Sequence, residues 1–177
     1  MSAPPSSSPT VSSAPSSSPT LPLRPPNDNI ANRSRLSLDG APVSFNLKHA
    51  TKEIGEPVGS SWNDGPRLDN SIWFLFEAPS IGCVEIETIG PAGSADTQIA
   101  LYDAADPMDF TSFVEIASDD DSGTSYQYAS YVEVSSLTPG NEYYLQVDGW
   151  FGDQRSASIQ VTPCPVSFMY AVDMFIL

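Results

Sequence analysis

The sequence predicts an all-β fold: a jelly-roll-like antiparallel β-sandwich of about eight strands. Three observations carry that expectation. Short runs alternate with period two, as where Val43, Phe45 and Leu47 face one way and Ser44 and Asn46 the other. Turn clusters separate these runs at intervals of roughly 8 to 15 residues. One run, Ser71-Ile72-Trp73-Phe74-Leu75-Phe76-Glu77, is apolar on both faces, as a central strand is.

In chain order, the strand expected over residues 43–47 is followed by that central run. Ala78-Pro79-Ser80-Ile81-Gly82 then turns the chain. Val84 and Ile86 alternate with Cys83, Glu85 and Glu87, and further strands are expected over residues 98–102, 113–118, 130–134, 142–147 and 156–161. Between them lie Pro91-Ala92-Gly93-Ser94, Asp106-Pro107, Asp120-Asp121-Ser122-Gly123, Thr138-Pro139-Gly140-Asn141 and the stretch 149–152, all turn formers. Residues 29–36 are the one place where a helical turn is expected.

The sandwich is assigned to residues 27–163. Residues 1–26 are nearly all Ser, Pro, Thr and Ala, and Pro5-Ser6-Ser7-Ser8-Pro9-Thr10 recurs as Pro15-Ser16-Ser17-Ser18-Pro19-Thr20. Such a composition buries no apolar surface, so a disordered stalk or linker is expected, O-glycosylated or bare. Residues 164–177 form an apolar tail, too short to span a bilayer and readable as an extra strand or a truncated segment. No apolar leader follows Met1. The chain is therefore either cytosolic or a piece of a longer secreted protein, and the stalk favours the second, with an extracellular or cell-surface location.

Acidic residues outnumber basic ones 22 to 7, for a net charge of −15. A surface of that sign repels phosphate backbones and anionic membranes, which argues against nucleic-acid and membrane partners. It suits divalent cations, or solubility alone. Two cysteines, Cys83 and Cys164, are too few for a four-ligand structural zinc site. They either pair, closing a loop of about 80 residues worth roughly 4 kcal/mol, or remain separate thiols. Cys83 shares a strand face with Glu85 and Glu87, which speaks against the pairing.

The residues offer little for catalysis. His49 is the single histidine and is expected at the surface beside Lys48. No nucleophile elbow, phosphate-cradling glycine loop or zinc-binding His-Glu-x-x-His is present. Carboxylates abound, so composition leaves a two-carboxylate glycosidase open. Such a hydrolase would need a pocket where carboxylates of perturbed pKa converge. The expectation is that the chain is not an enzyme.

Two kinds of binding residue stand out instead. Asp119, Asp120 and Asp121 are adjacent carboxylates in a turn, and Asp96, Asp103 and Asp148 also lie at strand ends. Calcium takes six to eight oxygens from such loops. If loops at one end of the sandwich gather Asp96, Asp119, Asp120, Asp121 and Asp148, a calcium site results; otherwise they are solvated turns. Glu53 and Glu56 around Gly55 are either further ligands or an exposed turn. Among the tryptophans, Trp73 is expected in the core. Trp62 and Trp150 sit in polar loops; they either anchor a partner or stack on sugar rings, or pack over the end of the sandwich.

Six segments in order resemble the bacterial pre-peptidase C-terminal domain family, over residues 27–161. They are Asn27-Asp28; Ala50-Thr51-Lys52-Glu53-Ile54-Gly55-Glu56-Pro57; Ser71 and Trp73 with Phe76 and residues 78–82; Asp96-Thr97 leading to Tyr102; the Asp119–Asp121 turn; and Tyr144 with Val147-Asp148-Gly149. Ala95 and Phe74 stand where that family usually carries an aromatic residue and a second tryptophan. The resemblance implies a jelly-roll-like sandwich that serves as a non-catalytic accessory part of secreted proteins, often beside a peptidase. Related collagen-binding domains of bacterial collagenases bind calcium near the domain start, which makes Asn27 and Asp28 further candidate ligands.

The expected function is a non-catalytic extracellular module that binds or positions a larger secreted protein on a polysaccharide or extracellular protein surface. Two alternatives stand beside it. One is a purely structural domain that helps a neighbouring domain fold or be secreted; the other is a calcium-dependent carbohydrate-binding module.

Overall fold

A computed structural model describes residues 23–62 and 68–165. Among the described residues nine strands form, in chain order: β1 Ser34–Arg35, β2 Val43–Asn46, β3 Ile72–Glu77, β4 Val84–Ile89, β5 Thr97–Ala104, β6 Phe113–Asp119, β7 Tyr131–Val134, β8 Glu142–Gly149 and β9 Ser156–Pro163. The eight expected strands are all present; β1 is additional. It follows a single 3₁₀ turn over Ile30–Asn32, so the expected helical stretch is one turn and then a strand.

The strands lie in two sheets, ordered β1-β3-β8-β5-β6 and β2-β9-β4-β7. Every pairing is antiparallel except β1 with β3. From β2 to β5 the chain crosses between sheets at each step, and from β6 to β9 it does so again. Only the β5–β6 reversal stays within one sheet, which is the path of a jelly roll.

The strand patterns show why the sheets stack. β4 and β9 alternate, sending Val84, Ile86, Ile159 and Val161 inward and glutamate, threonine and glutamine outward. Between the sheets these residues meet Phe45, Leu47, Ile72, Phe74, Phe76, Ile99, Leu101, Leu145 and Val147. β3, β5 and β8 are buried on both faces, so their other face needs a cover of its own. Ile30, Trp62 and Leu68 supply it over Trp73, Leu75, Ala100, Tyr102 and Tyr144.

For Trp62 this second layer selects packing over ligand binding, the two readings the sequence left open. The residue is 5% exposed, and its indole Nε1 donates to the Ile99 carbonyl at 3.1 Å. It is a lid over the five-stranded sheet, not a surface for a ligand. The polar neighbours Ser60 and Ser61 do not expose it, because they bind β6: Ser60 Oγ donates to Glu115 at 2.5 Å and the Ser61 N–H to Ser118 Oγ at 3.0 Å.

Cys83 and Cys164 are joined in a disulfide, with Cα atoms 5.4 Å apart. Val84 pairs with Pro163 across β4 and β9, so the two cysteines stand directly opposite on neighbouring strands, and the Cys164 N–H donates to the Cys83 carbonyl. Opposite residues of an antiparallel pair share a face. The orientation that spoke against pairing from sequence is therefore the one that permits it.

The stalk and tail expectations fall mostly on residues 1–22 and 166–177, outside the described residues. Pro25 is buried and Arg24 binds Asp28 and Thr51, so the packed unit takes in residues before Asn27.

Candidate functional site

One end of the sandwich gathers Asp96, Asp120 and Asp121, each offering a carboxylate oxygen within 4.8 Å of the others. Asp96 immediately precedes β5. Asp120 and Asp121 follow β6 in a turn that Asp119 organises: its Oδ2 accepts from the Ser122 N–H at 2.9 Å and the Tyr131 N–H at 2.8 Å, and its Oδ1 accepts from Ser122 Oγ. Of the aspartate triplet, the first is thus spent on holding the turn, and the next two meet Asp96.

Trp150 borders this cluster with Tyr128, around a shallow cleft of about 240 Å³. Trp150 is 40% exposed and its neighbour Phe151 is 56% exposed, with ring centroids 4.4 Å apart. The loop bearing them is fixed from both sides. The Trp150 N–H donates to the Asp96 carbonyl at 3.0 Å, and the Asp96 N–H donates to Asp153 Oδ2 at 3.0 Å. Phe151 takes the left-handed conformation, φ 49°, which is uncommon for a residue with a side chain. Gly149 permits the tight bend at its base, because a Cβ there would lie 2.1 Å from the Asp153 carbonyl oxygen. Arg155 chelates Asp153 through Nε and donates to the Gly93 carbonyl, closing the far side of the loop.

Burial pushes the Asp96 carboxyl up to about 6, reinforced by the charges of Asp121, Asp120 and Asp153 and partly offset by Arg155. Asp121 is raised by burial and by Asp120 and Asp119. Like charges this close repel one another unless they are solvated, share a proton or hold a cation between them. The set is carboxylate oxygen alone, the chemistry of a hard cation such as calcium.

These are also converging carboxylates of perturbed pKa, the condition set for a hydrolase. Their oxygens lie within 4.8 Å of one another, where a glycosidase sets its two carboxyls about 5 Å or more apart across the scissile bond.

The other candidate ligands lie elsewhere and are already engaged. Asn27 exchanges hydrogen bonds with the Trp73 backbone, its N–H₂ donating to that carbonyl at 3.0 Å. Asp28 accepts from the Thr51 N–H at 2.6 Å, from Thr51 Oγ1 at 2.9 Å and from Arg24. These two residues pin the start of the domain to β3 and to the loop after β2. Glu53 accepts from the Ile30 N–H at 2.7 Å. Glu56 is not an exposed turn residue: Ser71 Oγ, Trp73 Nε1 and Gln146 Nε2 all donate to it, and burial raises its carboxyl. Asp148 is buried beneath the Trp150 loop, accepting from the Asn70 N–H at 2.8 Å and the Asp69 N–H at 3.3 Å. The expected gathering of Asp96, Asp119, Asp120, Asp121 and Asp148 reduces to Asp96, Asp120 and Asp121. Tyr128, Asp153 and Arg155 join them, none of which stood out in sequence. His49 sits in a left-handed turn after β2, φ 63°.

Burial pushes Asp148 up to about 7, against the pull of the Asn70, Asp69 and Gly149 N–H groups. An unfolded aspartate titrates near 3.9. Between those two values the folded chain binds the extra proton, so Asp148 and Asp96 add stability at low pH and lose it as pH rises from about 4 to about 7. Urea midpoints should fall between pH 5 and pH 8. In Asp148→Asn that fall should shrink, and an unchanged pH dependence would show that Asp148 titrates normally.

No family model matches the chain, and the search of curated proteins finds no match. Among solved structures it is similar to the pre-peptidase C-terminal domain of collagenase from Bacillus anthracis. That match is 13% identical, covers 73% of this chain and 94% of the other, and has a TM-score of 0.44.

Proposed function

We propose that the chain is a non-catalytic extracellular module of a larger secreted protein. It holds that protein against a polymer or protein surface through the end that carries Trp150, Phe151 and Tyr128. The carrying observation is the exposed Trp150–Phe151 pair, mounted on a loop tied to Asp96 in both directions, beside three converging carboxylates. Rigid, half-exposed aromatic rings bind at low entropic cost, because little freedom remains to be lost. The disulfide and the Ser/Pro-rich stretch both suit an oxidising, extracytoplasmic setting.

The same end favours a calcium-dependent carbohydrate reading over a purely structural one. An aromatic face takes the apolar side of a sugar ring, while a carboxylate-bound cation can accept its hydroxyls. Asp96, Asp120 and Asp121 would hold the cation, and Trp150 the ring.

Two measurements test this. Thermal unfolding in millimolar calcium should rise by several degrees relative to EDTA, since ligand at 100 times its Kd stabilises by about 2.7 kcal/mol. Asp96→Asn/Asp121→Asn should abolish the shift. Pull-down on insoluble polysaccharides should retain the wild type and lose Trp150→Ala, whose side chain is half out of the fold. Equal retention of the two proteins would remove Trp150 from the contact. No calcium shift and no retention on any surface would leave the structural-domain reading.

A further inference from the structure

We propose that Asn32 is an acceptor site for a secretory-pathway N-glycan transferase. The sequence has seven asparagines, and one of them, Asn32, heads an Asn-x-Ser/Thr triplet: Asn32-Arg33-Ser34. The central residue is not proline, which would block transfer. Three of the other asparagines spend their amides on the fold. Asn27 binds Trp73, Asn29 donates to Glu53 at 3.1 Å, and Asn70 donates to the Asp153 carbonyl at 2.7 Å. Asn32 is exposed at the end of the Ile30–Asn32 turn, and its backbone N–H bonds Asn29 while its side-chain amide takes no part in the fold among the described residues. Arg33 turns the other way, donating to the Ile30 carbonyl and lying 5.3 Å from the centre of the Tyr144 ring. The triplet therefore displays the acceptor outward while anchoring the residue beside it.

In the transfer, Asn32 Nδ2 forms a bond to the anomeric carbon of a lipid-pyrophosphate-linked oligosaccharide. That carbon's bond to the pyrophosphate oxygen breaks, Nδ2 gives up one proton, and the lipid pyrophosphate leaves; nothing is oxidised or reduced. The placement gives the glycan a use. Ser34 and Arg35 form β1, the outermost strand of the five-stranded sheet, paired on one side only among the described residues. An open edge is a template for unwanted pairing. A bulky, hydrated glycan two residues upstream covers that edge.

The inference rests on the extracellular reading but not on any ligand. The test is the full chain behind a cleavable secretion signal in a eukaryotic host, with peptide mass spectrometry before and after enzymatic removal of N-glycans. Transfer precedes export, so secreted and retained protein are both read. The wild type should carry a glycan on the peptide containing Asn32. Asn32→Gln and Ser34→Ala should carry none, and Ser34→Thr should retain it. Oxidised Cys83–Cys164 with a bare Asn32 would overturn the proposal and leave the extracellular reading intact. Free thiols in secreted protein would count against that reading instead, whatever the state of Asn32.

Discussion

Trp73→Ala should cost about 3 to 5 kcal/mol, the range for emptying a fully buried aromatic site. The ring is 0% exposed and lies on the outer face of the five-stranded sheet, under the cover formed by Ile30, Trp62 and Leu68. It stacks on Phe110 at 5.7 Å, meets Phe113 edge-on at 5.7 Å and tilts against Tyr102 at 6.1 Å. Its Nε1 also donates to Glu56 at 3.3 Å, so the truncation strips a half-buried carboxylate of one of its donors. Trp73→Phe separates the two effects, because it keeps most of the ring and loses only the N–H. It should cost clearly less than Trp73→Ala. Urea unfolding of both variants measures this, and a loss below about 1 kcal/mol for Trp73→Ala would place the ring outside the core. At the size of this domain the full loss corresponds to a fall in Tm of roughly 10 °C or more.

The importance of that layer explains which parts of the molecule could be read in advance. All eight expected strands formed because each carries its own local pattern, alternating or doubly apolar, bounded by Gly, Pro, Asn or Asp. β1 has two residues and no pattern; it exists because β3 offers it an edge. The doubly apolar run at Trp73 already implied a layer on each side of β3. What it did not disclose was the residue that supplies the outer one. Trp62 arrives from a polar loop whose serines look solvated until their hydrogen bonds to Glu115 and Ser118 are seen.

The same limit holds at the acidic end. Carboxylates at strand ends were visible, but which of them converge depends on how the β4–β5 and β6–β7 loops meet. Asp119 and Asp148 have the same sequence character as Asp120 and Asp96, yet backbone N–H groups claim them. Asp28 is likewise claimed by Thr51 and Arg24. A sequence shows where negative charge is available; local hydrogen bonding decides how much of it is spent on holding the chain.

Removing the disulfide should be the second large perturbation, about 4 to 5 kcal/mol in the chain-entropy model. The cross-link spans 81 residues and joins the start of β4 to the end of β9. β9 lies between β2 and β4 in the four-stranded sheet, so it cannot leave without exposing Ile159 and Val161 and breaking both of its ladders. The native pairing of β4 with β9 would hold the two ends together without sulfur. The bond therefore acts mainly on the unfolded chain, whose freedom it curtails. Cys83→Ser/Cys164→Ser should fold to the same sandwich, with unchanged far-ultraviolet circular dichroism and a lowered urea midpoint, and reductant should move the wild type toward the variant. The two large effects should also add, because Trp73 and the disulfide share no partner and stabilise different layers, the outer cover and the four-stranded sheet. The triple variant measures that directly. A combined loss well below the sum would mean that the cover and the four-stranded sheet unfold as separate units. A wild type whose unfolding ignores reductant, with both thiols shown oxidised beforehand, would mean that the unfolded chain is already compact enough to keep residues 83 and 164 close without the bond.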